Sequence, residues 1–331
     1  MANPVLVEIR RGSLVESRHC GSVAVVDAEG SVVLGHGDLD TLVYPRSAVK
    51  AMQALVLMEA GAAERFNLGD EALALACASH GGEPEHVAVV ERMLAAAGLN
   101  ASALGCGVHW PSHAPSTQAL ARSGQSATAL HNNCSGKHAG FICAARALGV
   151  DHAGYTDPTH PVQRAVKAVI EDLTGVAIPD QHRAVDGCSV PTWAIPLKAL
   201  ARGFARFGSG KGVAPGRARA AQRLRAACAA NPWHIAGTGR FCTRVMERFG
   251  DRVFVKTGAE GVFCGALPES GLGVAIKVDD GAARASEVAM AGVIERFVPL
   301  GDEDRAALGR LLHPALRNWN GIEVGSIAPA S

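Results

Sequence analysis

RVFVKTGAEGVFCGALPESGLGVAIKVDDG, residues 252–281, decides the fold. Three Val- and Gly-rich segments are separated by AEG and PESG, so the stretch reads as consecutive antiparallel strands joined by turns. The first 36 residues carry the same signature in VLVEIRRG, LVESRHCGSVAVVDAEG and SVVLGHG. Strand patterns at both ends, with none between, predict that the two ends jointly build one antiparallel sheet. The expected class is α+β. We expect a single catalytic domain over 1–331 with an α/β lobe of about 1–40 and 250–331. A mainly helical lobe of about 41–249 completes it, with a small-molecule cleft between lobes.

The middle of the chain is helical by period. Val49, Met52, Leu55, Val56 and Glu59 track one helix that stops at Gly61. Val87, Val90, Leu94 and Ala97 mark a second, entered through Pro84. Val162, Val166, Val169, Ile170 and Leu173 mark a third, closed by Gly175. Shorter helical patterns cover roughly 137–147, 193–206, 216–229 and 238–248, and two more follow the late strands at 286–298 and 303–312.

Charge excludes several classes of partner. The 331 residues carry 32 basic and 31 acidic side chains, a net charge of +1. Nothing there draws nucleic acid or an anionic membrane surface. No run approaches the length of a spanning helix, and the opening MANPVLVEIRRG lacks the apolar core of a signal peptide. Nine cysteines without regular spacing do not read as a secreted disulfide framework, so the expected setting is reduced and cytoplasmic.

Only seven lysines occur, which makes each placement readable. Ser47 and Lys50, in YPRSAVK, lie three apart at a helix start, where an amine can reach a hydroxyl one turn away. A lysine beside a serine is one way to activate the hydroxyl without histidine, because a buried amine can shed its proton. Lys256-Thr257-Gly258 follows the apolar run Val253-Phe254-Val255, at the end of an inner strand. S-x-x-K at a first helix with K-T-G on a late strand is a two-box layout of serine acyl-transfer enzymes. Ser79 and His80 stand in LACASHGGE, where glycines open the backbone; the same residues also suit a plain turn before a proline-initiated helix. Cys134 and Lys137 in HNNCSGKHAGF, with Cys188 in DGCSVPTWAIPL, could meet around a metal or be ordinary core thiols.

Taken together, YPRSAVK, ACASHGGE, HNNCSGKHAGF, DGCSVPTWAIPL and KTGAEGVFCGALP resemble the class 3, rhizobial-type L-asparaginases, in order and across essentially the whole chain. The resemblance implies a fold like that of serine β-lactamases and glutaminases, and a homodimer. It implies two serine–lysine pairs, Ser47 with Lys50 and Ser79 with Lys256, and one zinc ion held by Cys134, Lys137 and Cys188. In that family the metal supports substrate binding rather than hydrolysis. Asp186 matches a residue that supports the metal ligands, and Arg46 and His80 are candidate substrate contacts. The middle S-D-N box of penicillin-binding enzymes is missing, which argues against β-lactam chemistry.

The expected reaction is hydrolysis of the side-chain amide of L-asparagine to aspartate and ammonia. Lys50 takes the proton of Ser47, whose oxygen attacks the side-chain amide carbon to form an aspartyl ester, and Ser79 with Lys256 relays a proton to the leaving ammonia. Spacing alone leaves either serine as the nucleophile. The rivals are another serine acyl hydrolase (peptidase, esterase or β-lactamase-like) and a zinc- or amino-acid-binding protein without catalysis.

Overall fold

The strand Leu14–Val26 organises the sheet by changing partners halfway along. Its first part, Leu14 to Cys20, pairs with Val5–Arg11. Its second part, Gly21 to Val26, pairs with Leu272–Val278, and Val23 to Val26 also pair with Val32–His36. Gly21 stands at the change, where a Cβ would collide with the Lys277 carbonyl. The computed structural model describes residues 2–330.

Ordered across its width, the sheet runs Ala315–Arg317, Glu323–Pro329, Val5–Arg11, Leu14–Val26, Leu272–Val278, Val262–Leu267 and Phe254–Thr257, with Val32–His36 beside the long strand. Every pairing is antiparallel. The two chain ends therefore do build one antiparallel sheet. The strands after residue 314 were not anticipated, because NGIEVGSIAPA is broken by Gly and Pro and only Ile327 of that strand is buried.

All six residues of Val262–Leu267 are buried, so both faces of the sheet are covered there. On one face lies the helix Leu197–Ser209, packed on the three inner strands. It can approach because Gly273 lacks a Cβ that would strike the backbone of Ala201 and Ala205. On the other face lies Ala283–Phe297, whose Met290 meets Gly265. Among the described residues, one compact unit thus comprises 2–48, 194–212 and 248–330. Its membership differs from the expected lobe, because helix 197–209 belongs with the sheet although its sequence stands among helices.

The other unit comprises residues 49–193 and 213–247. At its centre is Lys50–Glu59, in which eight consecutive residues from Lys50 to Leu57 are buried. A helix buried on every side needs neighbours all round. Ser135–Leu148, Pro161–Thr174 and Pro215–Ala230 supply them. Gly136 and Gly140 let Ser135–Leu148 come close: a Cβ at Gly136 would meet the Leu75 carbonyl, and one at Gly140 would press on Leu57. The expected stops are present, since Gly61 and Gly175 both have left-handed φ, +68° and +71°. Among the described residues, no helix is long and apolar enough to cross a membrane.

Candidate active site

Lys50 begins the central helix and is completely buried, 0% exposed. A lysine amine there needs oxygen partners, since the helix start already presents unpaired N–H groups. Its Nζ lies 2.6 Å from the Ala78 carbonyl, 2.8 Å from Ser79 Oγ and 3.5 Å from the Asn133 carbonyl. So the helical unit joins Lys50 to Ser79 directly, by a contact that residue spacing did not indicate.

The loop after Ser79 is fixed at every residue. Ser79 N–H donates to the Ile235 carbonyl at 2.9 Å, and His80 N–H to the Asn133 carbonyl at 3.2 Å. His80 is 1% exposed. Gly82 N–H donates to its Nδ1 at 3.1 Å, so Nδ1 accepts and the ring proton sits on Nε2. That Nε2 is 2.9 Å from Ser135 Oγ, and the Ser135 hydroxyl passes on to the Leu130 carbonyl at 2.8 Å. Burial is the largest influence holding the His80 pKa well below the usual imidazole range, which fits a neutral ring. Both ring nitrogens are engaged within the protein, so His80 here shapes the loop.

A second cluster lies in the same unit. Lys137 Nζ is 3.0 Å from Cys188 Sγ, and the Asn133 side-chain amide is 3.1 Å from Cys134 Sγ. All three candidate ligands are buried: Cys134 5%, Lys137 2% and Cys188 4% exposed. A hydrogen bond from Cys188 pulls the Cys134 thiol well below its ordinary range against burial, helped by the Lys50 and Lys137 amines. Cys188 moves the opposite way, pushed up by that shared hydrogen bond and by burial. Burial alone would lower Lys137, but the Cys188 and Cys134 sulfurs and Asp186 outweigh it and raise the amine above the usual lysine range. An Asp186 carboxylate oxygen lies 4.0 Å from Cys188 Sγ.

Ser189, next to Cys188, has φ +74°. A non-glycine residue held there is strained by roughly 1–3 kcal/mol, and such strain concentrates where a side chain must be aimed.

Among the described residues, no three His, Cys, Asp or Glu side chains group as metal ligands. The set here closes only through Lys137. Two buried sulfurs, one already favoured as thiolate, are nevertheless donors that zinc accepts, and the Lys137 amine would join them on giving up the proton that its raised pKa holds.

The remaining candidates lie in the sheet-bearing unit. Lys256 is 1% exposed on the strand Phe254–Thr257, with Nζ 2.9 Å from the Thr257 carbonyl. Gly258 follows where a Cβ would crowd the Pro45 carbonyl, which accounts for the glycine of K-T-G. Ser47 is half-buried in the 3-10 turn Arg46–Val49, and Arg46, also half-buried, has φ +50°. The left-handed Arg46 sets that turn immediately before the serine. No Gly or Asn marks the position in the sequence, so its backbone could not be anticipated.

Asn133 and Ser135 also take part in holding the site, and the sequence reading gave neither a role.

The L-asparaginase II family model matches residues 7–329. No curated protein matches the sequence. Among solved structures, a β-lactamase from Mycobacterium bovis aligns at 16% identity and a TM-score of 0.42, over 84% of this chain and 95% of that one. Mglu in its native form aligns at 16% identity and a TM-score of 0.38, over 85% of this chain and 66% of that one.

Proposed function

Because the chain belongs to the L-asparaginase II family, we propose that it hydrolyses the side-chain amide of L-asparagine through an aspartyl ester on a serine served by Lys50. The observation that carries this reading is the 2.8 Å approach of the buried Lys50 Nζ to Ser79 Oγ. As a free amine, Lys50 has two N–H groups and one lone pair. The Ala78 and Asn133 carbonyls can take the two hydrogens, which leaves the lone pair for a serine proton. The serine oxygen then attacks the amide carbon, the C–N bond breaks, and the proton leaves with ammonia. Water cleaves the ester to give aspartate. Ser47 and Ser79 are the two candidate carriers of the ester, and Lys256 is proposed to support proton transfer to the leaving group.

Cys134, Lys137 and Cys188 would hold one zinc ion, with Asp186 supporting Cys188. Bound there, zinc supplies positive charge that favours substrate binding. Arg46 is proposed to contact the substrate. A homodimer in the cytoplasm completes the reading.

Ammonia release from asparagine and from glutamine, by wild type and by Ser47→Ala and Ser79→Ala, tests the proposal. Release from asparagine that both variants abolish supports it. Full release by the Ser47→Ala/Ser79→Ala double variant overturns it.

A further inference from the structure

Glu83 ends the loop that begins with Ser79, and its carboxylate is buried, 6% exposed. Oε1 accepts from Thr238 N–H at 2.8 Å, and Oε2 accepts from Thr238 Oγ1 at 2.7 Å. The Thr238 hydroxyl is itself oriented, because the donor-only indole Nε1 of Trp233 lies 3.0 Å from Oγ1. That bond leaves the Thr238 proton free to point only at Glu83.

Two glycines make room for this carboxylate. A Cβ at Gly237 would collide with Oε1, and one at Gly81 would sit 3.1 Å from it. Gly237 also has φ +105°, which excludes other residues there. His113 Nδ1 lies 3.5 Å from Oε2, and His113 N–H donates to the Gly81 carbonyl at 3.1 Å. Glu83 N–H in turn donates to His86 Nδ1 at 3.2 Å.

The segments 79–83 and 235–238 are therefore joined at both ends. At one end Ser79 N–H reaches the Ile235 carbonyl. At the other, Glu83 grips Thr238 twice. The Lys50 contact with the Ala78 carbonyl and the His80 N–H on the Asn133 carbonyl hold the near end of this loop, and the Glu83–Thr238 grip holds its far end.

We propose that the Glu83–Thr238 clamp is the positioning device that holds Ser79 Oγ at Lys50. It rests on the reading of Lys50 and Ser79 as reacting groups. Glu83 acts through Ser79 and does not touch the reacting atoms. Loosening the clamp disturbs Ser79 geometry in the transition state more than it disturbs substrate capture.

Glu83→Ala is expected to lower kcat by about 10- to 100-fold while KM moves less than about threefold, as for a small misplacement of a reacting group. Glu83→Gln keeps an acceptor for Thr238 N–H but sets an amide N–H against the Thr238 hydroxyl proton, so it should recover only part of what alanine loses. Thr238→Val and Thr238→Ser form a second pair should Glu83→Ala fail to fold: valine removes the hydroxyl, and serine restores it. A loss in Thr238→Val that Thr238→Ser recovers supports the clamp. Wild-type kcat in both Glu83→Ala and Thr238→Val, with Ser79→Ala inactive, overturns the clamp and leaves the Lys50–Ser79 reading intact. An active Ser79→Ala overturns that reading, and the clamp with it.

Discussion

Lys50 Nζ lies 2.8 Å from Ser79 Oγ, although 28 residues separate them and the nearer-spaced partner in sequence is Ser47. The contact forms because the helix that Lys50 opens and the loop at Ser79 meet around the Asn133 carbonyl. Replacing Lys50 with Met keeps most of the buried volume while removing the nitrogen. We expect kcat to fall by about a thousandfold or more, with asparagine still bound. Steady-state ammonia release and equilibrium binding measured on the same preparation check both halves.

The metal reading predicts a split between binding and turnover. Cys188→Ser should lower the bound zinc per chain and raise KM for asparagine about tenfold, with a smaller change in kcat. Metal content by mass spectrometry is the decisive readout. Zinc retained at the wild-type ratio removes Cys188 from the ligand set.

His86 predicts how stability depends on pH. Burial, the largest influence, pulls its pKa from the ordinary 6.5 down to about 4, and its ring stacks on Trp233 with centroids 3.9 Å apart. The folded protein therefore keeps the ring neutral while the unfolded chain takes up a proton as the pH falls through 6.5. Stability from this group is complete above about pH 6.5 and is lost progressively toward about pH 4, up to about 3 kcal/mol. Urea midpoints for wild type and His86→Phe at about pH 7 and about pH 4.5 check the sign: wild type should lose the more on acidification.

Gly273 predicts a purely structural cost. An added methyl would have to displace the backbone of Ala201 and Ala205, which no rotamer change can relieve. Gly273→Ala should destabilise the protein by about 2 kcal/mol or more. Thermal unfolding is the measurement, and an unchanged midpoint would show that helix 197–209 can shift freely.

Much of this was legible in the sequence because pattern and structure share a cause. Apolar runs at both ends became a shared sheet, and Gly61 and Gly175 ended helices where only glycine turns without strain. The thiols and the lysine of the proposed metal set did come together from three different positions. What stayed hidden depended on tertiary contact. Helix 197–209 joins the sheet because Gly273 admits it, a reason that lies some seventy residues away. Residues 323–329 carry no alternating pattern, since pairing rather than burial makes them a strand. Lys50 found Ser79, and Glu83 found Thr238, through loop placement that no local spacing encodes.

The most direct measurement is a rapid acid quench of the protein turning over L-asparagine, followed by digestion and peptide mass spectrometry. One aspartyl group should appear on the peptide carrying Ser47 or the peptide carrying Ser79, and should vanish in Lys50→Met. Ammonia produced at the wild-type rate with neither serine modified at any quench time would contradict a serine ester served by Lys50.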